Sequence, residues 1–130
     1  MTTGMRGEPQ PREEENPDGL VTLWRPVGPA ELELIAASGY RVFPPRLPEQ
    51  PIFYPVLTEE YAVQIARAWN VPQTGAGFIT RFRVRASFLS LFKMHKVGDR
   101  HHSEYWIPAE ELAEFNRAIV GSIEVTRRFP

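Results

Sequence analysis

A chain of 130 residues with 42% hydrophobic and 12% aromatic side chains has the size and composition of one globular domain. No apolar run approaches the roughly 20 residues that cross a bilayer, and no apolar stretch follows Arg6 to make a secretory signal, so a cytoplasmic protein is expected. The absence of cysteine excludes disulfides, thiolate metal sites and cysteine nucleophiles, while a net charge of -1 gives no ground for a nucleic-acid partner.

That charge is unevenly spread. Residues 1–18 carry Glu8, Glu13, Glu14, Glu15 and Asp18 against Arg6 and Arg12, with no aliphatic side chain after Met5. Such a segment buries too little surface to offset its ordering entropy, so residues 1–19 are expected to form a disordered acidic tail before a single domain over 20–130.

From Leu20 the pattern changes to Leu20-Val21-Thr22-Leu23-Trp24-Arg25, a strand that Pro26 is expected to stop. Pro29 opens a short helix with Leu32, Ile35 and Ala36 at helical spacing and Gly39 at its end. Tyr40 to Phe43 reads as extended. The prolines at 44, 45, 48 and 51 then enforce an ordered, irregular loop. Ile52-Phe53-Tyr54 reads as a strand. Thr58 caps an amphipathic helix whose buried face is Ala62, Ile65, Ala66 and Trp69.

Asn70 to Gly77 is expected to turn into a half-buried strand over Phe78–Arg85, with Phe78, Phe82 and Val84 on one face and Arg81, Arg83 and Arg85 on the other. A helical turn around Ser87–Phe92, a strand over Met94–Val97 and a turn at Gly98-Asp99-Arg100 follow. Glu104 to Ile107 reads as a strand, with Tyr105 and Ile107 facing the core. Pro108 opens a helix lined by Leu112, Phe115 and Ile119, Gly121 ends it, and Ser122 to Val125 forms the last strand. The class is α+β, with a mixed or mostly antiparallel sheet and three short helices.

Few residues carry a chemical signal. His95, His101, His102, Asp99 and Glu104 match no metal-ligand spacing, and adjacent histidines on an extended chain point apart, so no metal is expected. No Gly-x-Ser-x-Gly elbow or phosphate loop is present. Arg81, Arg83 and Arg85 fit either a phosphate-binding face or a charged, exposed strand. Arg25, at the end of its strand, is placed to border a cleft. Glu104 and Trp106 share a strand face, either as a carboxylate–aromatic ligand pair or as an exposed edge.

The strings Leu23-Trp24-Arg25-Pro26-Val27-Gly28, Phe43-Pro44-Pro45-Arg46-Leu47-Pro48-Glu49-Gln50-Pro51-Ile52-Phe53-Tyr54-Pro55-Val56-Leu57 and Glu104-Tyr105-Trp106-Ile107-Pro108-Ala109-Glu110-Glu111-Leu112 resemble small bacterial proteins labelled ADP-ribosylation/J-crystallin. The glycohydrolases behind that label hold magnesium with paired aspartates, whereas this chain has only Asp18 and Asp99. The order of a first-strand arginine, an aromatic strand before a Tyr-Ala helix, and a glutamate on a late strand is similar to ADP-ribosyltransferase-fold enzymes, closest to the DNA-targeting toxin branch. His102 stands where arginine-modifying members carry a second glutamate.

This resemblance implies an ADP-ribosyltransferase-like fold acting on NAD, with no metal and an acceptor it does not specify. Arg25 would contact the pyrophosphate or ribose, Phe53, Tyr54 and Trp106 would line the nucleotide site, and Glu104 would be the catalytic carboxylate. The alternative is a non-catalytic module of the same fold that binds a nucleotide or a protein.

Overall fold

A computed structural model describes residues 19–96 and 102–130 of the chain. All of the expected acidic tail except Gly19, together with the expected turn at Gly98-Asp99-Arg100, lies outside these residues. The described part is a mixed α+β structure whose strand pairs are antiparallel.

Strand β1 (Leu20–Val27) pairs with β3 (Gly77–Arg85), which pairs in turn with β7 (Ile119–Phe129). Alternation holds in the second half of β3, where Thr80, Phe82 and Val84 are buried while Arg81, Arg83 and Arg85 are exposed, as their spacing predicts; Phe78 is half-buried on the Phe82 side, and Ile79, on the arginine side, is buried with Val56, Ala62 and Ala66. Pro26 does not stop β1. It lies opposite Ile79 inside the strand, on a stretch whose far side has no strand partner, so its missing N–H breaks no ladder.

Helix α1 (Pro29–Ala37) starts on its proline and ends in a Schellman motif. The Gly39 N–H bonds Ala36 O and the Tyr40 N–H bonds Ile35 O, with Gly39 at φ +77° supplying the left-handed turn. Tyr40 is itself left-handed at φ 61°, so the expected extended piece at 40–43 is an irregular turn instead. Strand β2 (Ile52–Phe53) leads to α2 (Glu59–Ile65), capped by the Thr58 hydroxyl, which accepts from the Tyr61 N–H at 3.1 Å.

Helix α2 runs directly into a π-helical stretch, Ala66–Asn70, and then α3 (Val71–Thr74). The wider i→i+5 turn shifts the helical register after Ala66. Trp69, expected on the buried face, is consequently 64% exposed.

Helix α4 (Ala86–Leu89) follows β3 where a helical turn was expected, and β4 (Met94–Lys96) pairs with β5 (Ser103–Tyr105). The strand expected over Glu104–Ile107 breaks at Trp106. Beyond it β6 (Ile107–Pro108) pairs with β2 in a separate two-stranded sheet. A 3-10 turn, Ala109–Glu111, precedes α5 (Leu112–Ala118). Ile119, expected on the helix, begins β7. Gly121 does not end the helix but occupies a β7 bulge at φ +86°, where Arg81 pairs with Glu124 and Arg83 with Val120.

The main core is aromatic. Phe43, Phe53, Phe82 and Phe115 are buried, with ring centroids 4.8 to 6.0 Å apart for the contacting pairs. A smaller core of Val56, Ala62, Ala66 and Ile79 holds α2 and the π stretch against the other face of β1 and β3.

Candidate functional site

Two chain segments cross from the small sheet to the large one at the same place. Ile52 and Phe53 pair with Pro108 and Ile107, whereas three residues later Val56 bridges both Trp24 of β1 and Glu104 of β5. The Trp24 N–H bonds Val56 O at 2.9 Å and the Tyr105 N–H bonds Pro55 O at 2.9 Å. Tyr54 and Trp106 are therefore the hinge residues of the two crossovers, free of ladder pairing, and they stand out from the sheets at 40% and 43% exposure. Their rings meet edge to face at 6.2 Å.

Between these crossovers, the end of β1 and the π stretch opens a cleft of about 440 Å³. Arg25, Tyr54, Glu104 and Trp106 all border it, joined by Tyr61, Trp69 and Asn70. The sequence thus identified four residues that the fold brings together. The fifth, Phe53, is fully buried. It lies beneath the site, with the Arg25 guanidinium over its ring at 4.6 Å, and has no face open to a ligand.

Glu104 is only 8% exposed, which removes the reading of a solvated edge. Its buried carboxylate is held by two donors: the Tyr61 hydroxyl at 2.9 Å to Oε1 and the Trp106 indole N–H at 2.6 Å to Oε2. Each oxygen keeps a second lone pair for a further donor. The Tyr61 hydroxyl is pushed up to about 12 by its own burial, reinforced by the hydrogen bond to Glu104 and that group's charge, so it remains a donor across the neutral range. Two stacked pairs flank the carboxylate, Tyr61 on His102 at 4.5 Å and Trp106 on His95 at 3.9 Å.

Arg25 is equally buried, but its fork is occupied. Nε and Nη2 donate to the two oxygens of Glu31 at 2.8 and 3.0 Å. Its carbonyl accepts from the Thr80 hydroxyl at 2.7 Å, fixing this part of β1. By strand alternation Arg25 leaves β1 on the Phe53 side, while Trp24, one residue earlier, shares a rung with Val56 and Glu104. Arg25 and Glu104 meet the cleft from different sides of the sheet, where the sheet divides.

The π stretch supplies what the sequence reading missed. Trp69 becomes an exposed aromatic wall, and Asn70 presents a buried Oδ1 with no hydrogen-bond partner. A helix drawn with uniform 3.6-residue spacing conceals both, because only the inserted turn brings them to the cleft.

Other candidates form no such constellation. Arg81 pairs with Glu124 on the open sheet face, and no group of three or more potential metal ligands occurs among the described residues. His101 and Asp99 lie outside them. No helix among the described residues is long and apolar enough to cross a membrane. Comparison with models of known protein families and with characterised proteins gave no match to this chain.

Proposed function

We propose that the protein is an NAD-using ADP-ribosyltransferase-like enzyme, with an ADP-ribosyltransferase-like fold and Glu104 as its catalytic carboxylate. The observation that carries this reading is the convergence of Arg25, Tyr54, Glu104 and Trp106 on one cleft, with the Glu104 carboxylate fixed at 2.9 and 2.6 Å by two aromatic donors.

In the reaction, the bond between C1′ of the nicotinamide ribose and the ring nitrogen breaks, and nicotinamide leaves with the electron pair. Positive charge grows on C1′ and the ring oxygen. Glu104, preorganised and screened from water, is suited to accept a ribose hydroxyl and to stabilise that charge. The acceptor then gives a lone pair to C1′ and loses its proton. Tyr54, Trp69 and Trp106 offer apolar walls for the flat rings of a dinucleotide, and the partnerless Asn70 Oδ1 is an acceptor of the kind a carboxamide N–H satisfies.

A second reading is a non-catalytic nucleotide-binding module. It is favoured by the internal satisfaction of the site, where both oxygens of Glu104 and the Arg25 fork already have protein partners. Titration of NAD followed by tryptophan fluorescence tests what both readings share. Quenching that is reduced in Trp106→Phe supports them, and an unchanged spectrum at millimolar NAD rejects them.

A further inference from the structure

Arg81, Arg83 and Arg85 take no part in the cleft, yet they stand in a row on one face of β3 and are all exposed. Arg81 is tied to Glu124 at 2.8 Å. Arg83 and Arg85 form no ion pair with another described residue. The core of Val56, Ala62, Ala66 and Ile79 covers this face at the Ile79 end. Toward Arg85 it opens into a hollow of about 390 Å³ bordered by Thr22, Trp24, Arg81, Arg83 and Ser122.

Alternate residues of a strand lie about 7 Å apart on one face, so the three guanidinium groups repel one another. The one anion paired with them, among the described residues, is Glu124.

The chain carries further anions at the right end of the row. Strand β1 begins at Leu20, directly opposite Arg85, and the carbonyl of Gly19 is fixed by the Ala86 N–H at 2.7 Å. The segment that leads into this point holds Glu13, Glu14, Glu15 and Asp18, with no lysine or arginine after Arg12. An extended chain rises about 3.3 Å per residue, so Glu13 to Asp18 can span about 16 Å, against about 13 Å from Arg85 to Arg81. A segment turned back at Gly19, whose φ of +73° suits a reversal, has the length to follow the whole row. Exposed ion pairs are individually weak, but a tether this short keeps the partners at high effective concentration.

We propose that the acidic segment 13–18 folds back onto the open face of β1, β3 and β7 and pairs with Arg83 and Arg85, covering that face from within the same chain. The triplet is then neither a phosphate site nor a merely solvated strand face. The assignment stands apart from the nucleotide reading of the cleft.

The chain has no cysteine, so Gln10→Cys gives the full-length protein a single attachment point for a nitroxide. The test is the loss of amide NMR signal that this label causes. Expected is a loss at Thr22, Arg83, Arg85 and Ser122 in low salt that is unchanged on dilution and disappears near 1 M salt, where the screening length is about 3 Å. Glu13→Lys/Glu14→Lys/Glu15→Lys, which leaves the domain untouched, should abolish it. Arg83→Glu/Arg85→Glu, shown by circular dichroism to be folded, should abolish it too, and combining the two sets should restore it. A loss that ignores salt and the tail substitutions overturns the proposal, as does one that falls on dilution, which would mark contact between two copies. No loss on this face in low salt overturns it as well.

Discussion

Tyr61 donates a 2.9 Å hydrogen bond to Glu104 across 43 residues of sequence, tying the first turn of α2 to β5 at the centre of the cleft. The same residue's N–H is the one the Thr58 cap receives, so the start of the helix and the position of the carboxylate are one arrangement.

The Tyr61 phenol is raised from 10.0 to about 12, first by burial and then by Glu104. A raised pKa means that the protonated form is the one the fold favours. Its stabilising contribution is therefore fully present below pH 10 and is lost as pH rises through about 12. Ultraviolet titration of the phenolates is expected to show one late-ionising tyrosine that is missing from Tyr61→Phe. The difference in melting temperature between the two proteins should be constant up to pH 10 and shrink above it.

Asn116 makes two hydrogen bonds to the Phe43 backbone, 73 residues away, and these anchor the start of the proline-rich loop. Asn116→Leu strands both backbone groups beside the core, a cost of about 1–3 kcal/mol. Urea denaturation should read that loss. Proteolysis of the native variant should also show earlier cleavage within 44–51 than in wild type.

Phe53 is completely buried and supports the Arg25 guanidinium from below. Phe53→Ala opens a cavity among Phe43, Phe115 and Arg25, costing about 3–5 kcal/mol. Phe53→Leu fills most of that space and should cost less while retaining ligand binding, as measured by chemical denaturation and fluorescence titration. Binding lost in a well-folded Phe53→Leu protein would mean that the ring has a direct part in the site.

How far the fold could be read from the sequence depended on whether one local rule held along each element. Period-3.6 spacing in α1 and early α2 gave correct faces because each helix packs one side on a core, and period-two alternation did so in β3 from Thr80 onward, whereas Ile79 on the arginine face is buried because that end of β3 carries a core on both sides. Three features escaped for physical reasons. Pro26 stays in β1 because its unpartnered side faces the cleft. Trp106 interrupts a strand because the chain changes sheets there, which depends on pairing with Val56 on one side and with Phe53 and Ile52 on the other, residues far off in the sequence. Trp69 turns outward because one π turn displaces it, with no local signal in Ala66–Asn70.

The site was legible to a similar depth. Arg25 stood out by its place before Pro26, and Glu104 with Trp106 by sharing a strand face. Tyr61 and Asn70 were hidden, since one belongs to a helix that looked merely amphipathic and the other to an expected turn. The commitment of Arg25 to Glu31, six residues on, also had no sequence signature.

The central claim, that Glu104 is a catalytic carboxylate, is tested most directly by release of nicotinamide from NAD by wild type and Glu104→Gln. The glutamine can keep an oxygen toward Trp106 and donate to the Tyr61 hydroxyl, which rotates to accept, so the variant is expected to fold. Wild type should release nicotinamide, and Glu104→Gln should do so at least about 100-fold more slowly with NAD binding little changed. Equal rates in the two proteins, or no release by wild type with protein, DNA and small-molecule acceptors supplied, would contradict it.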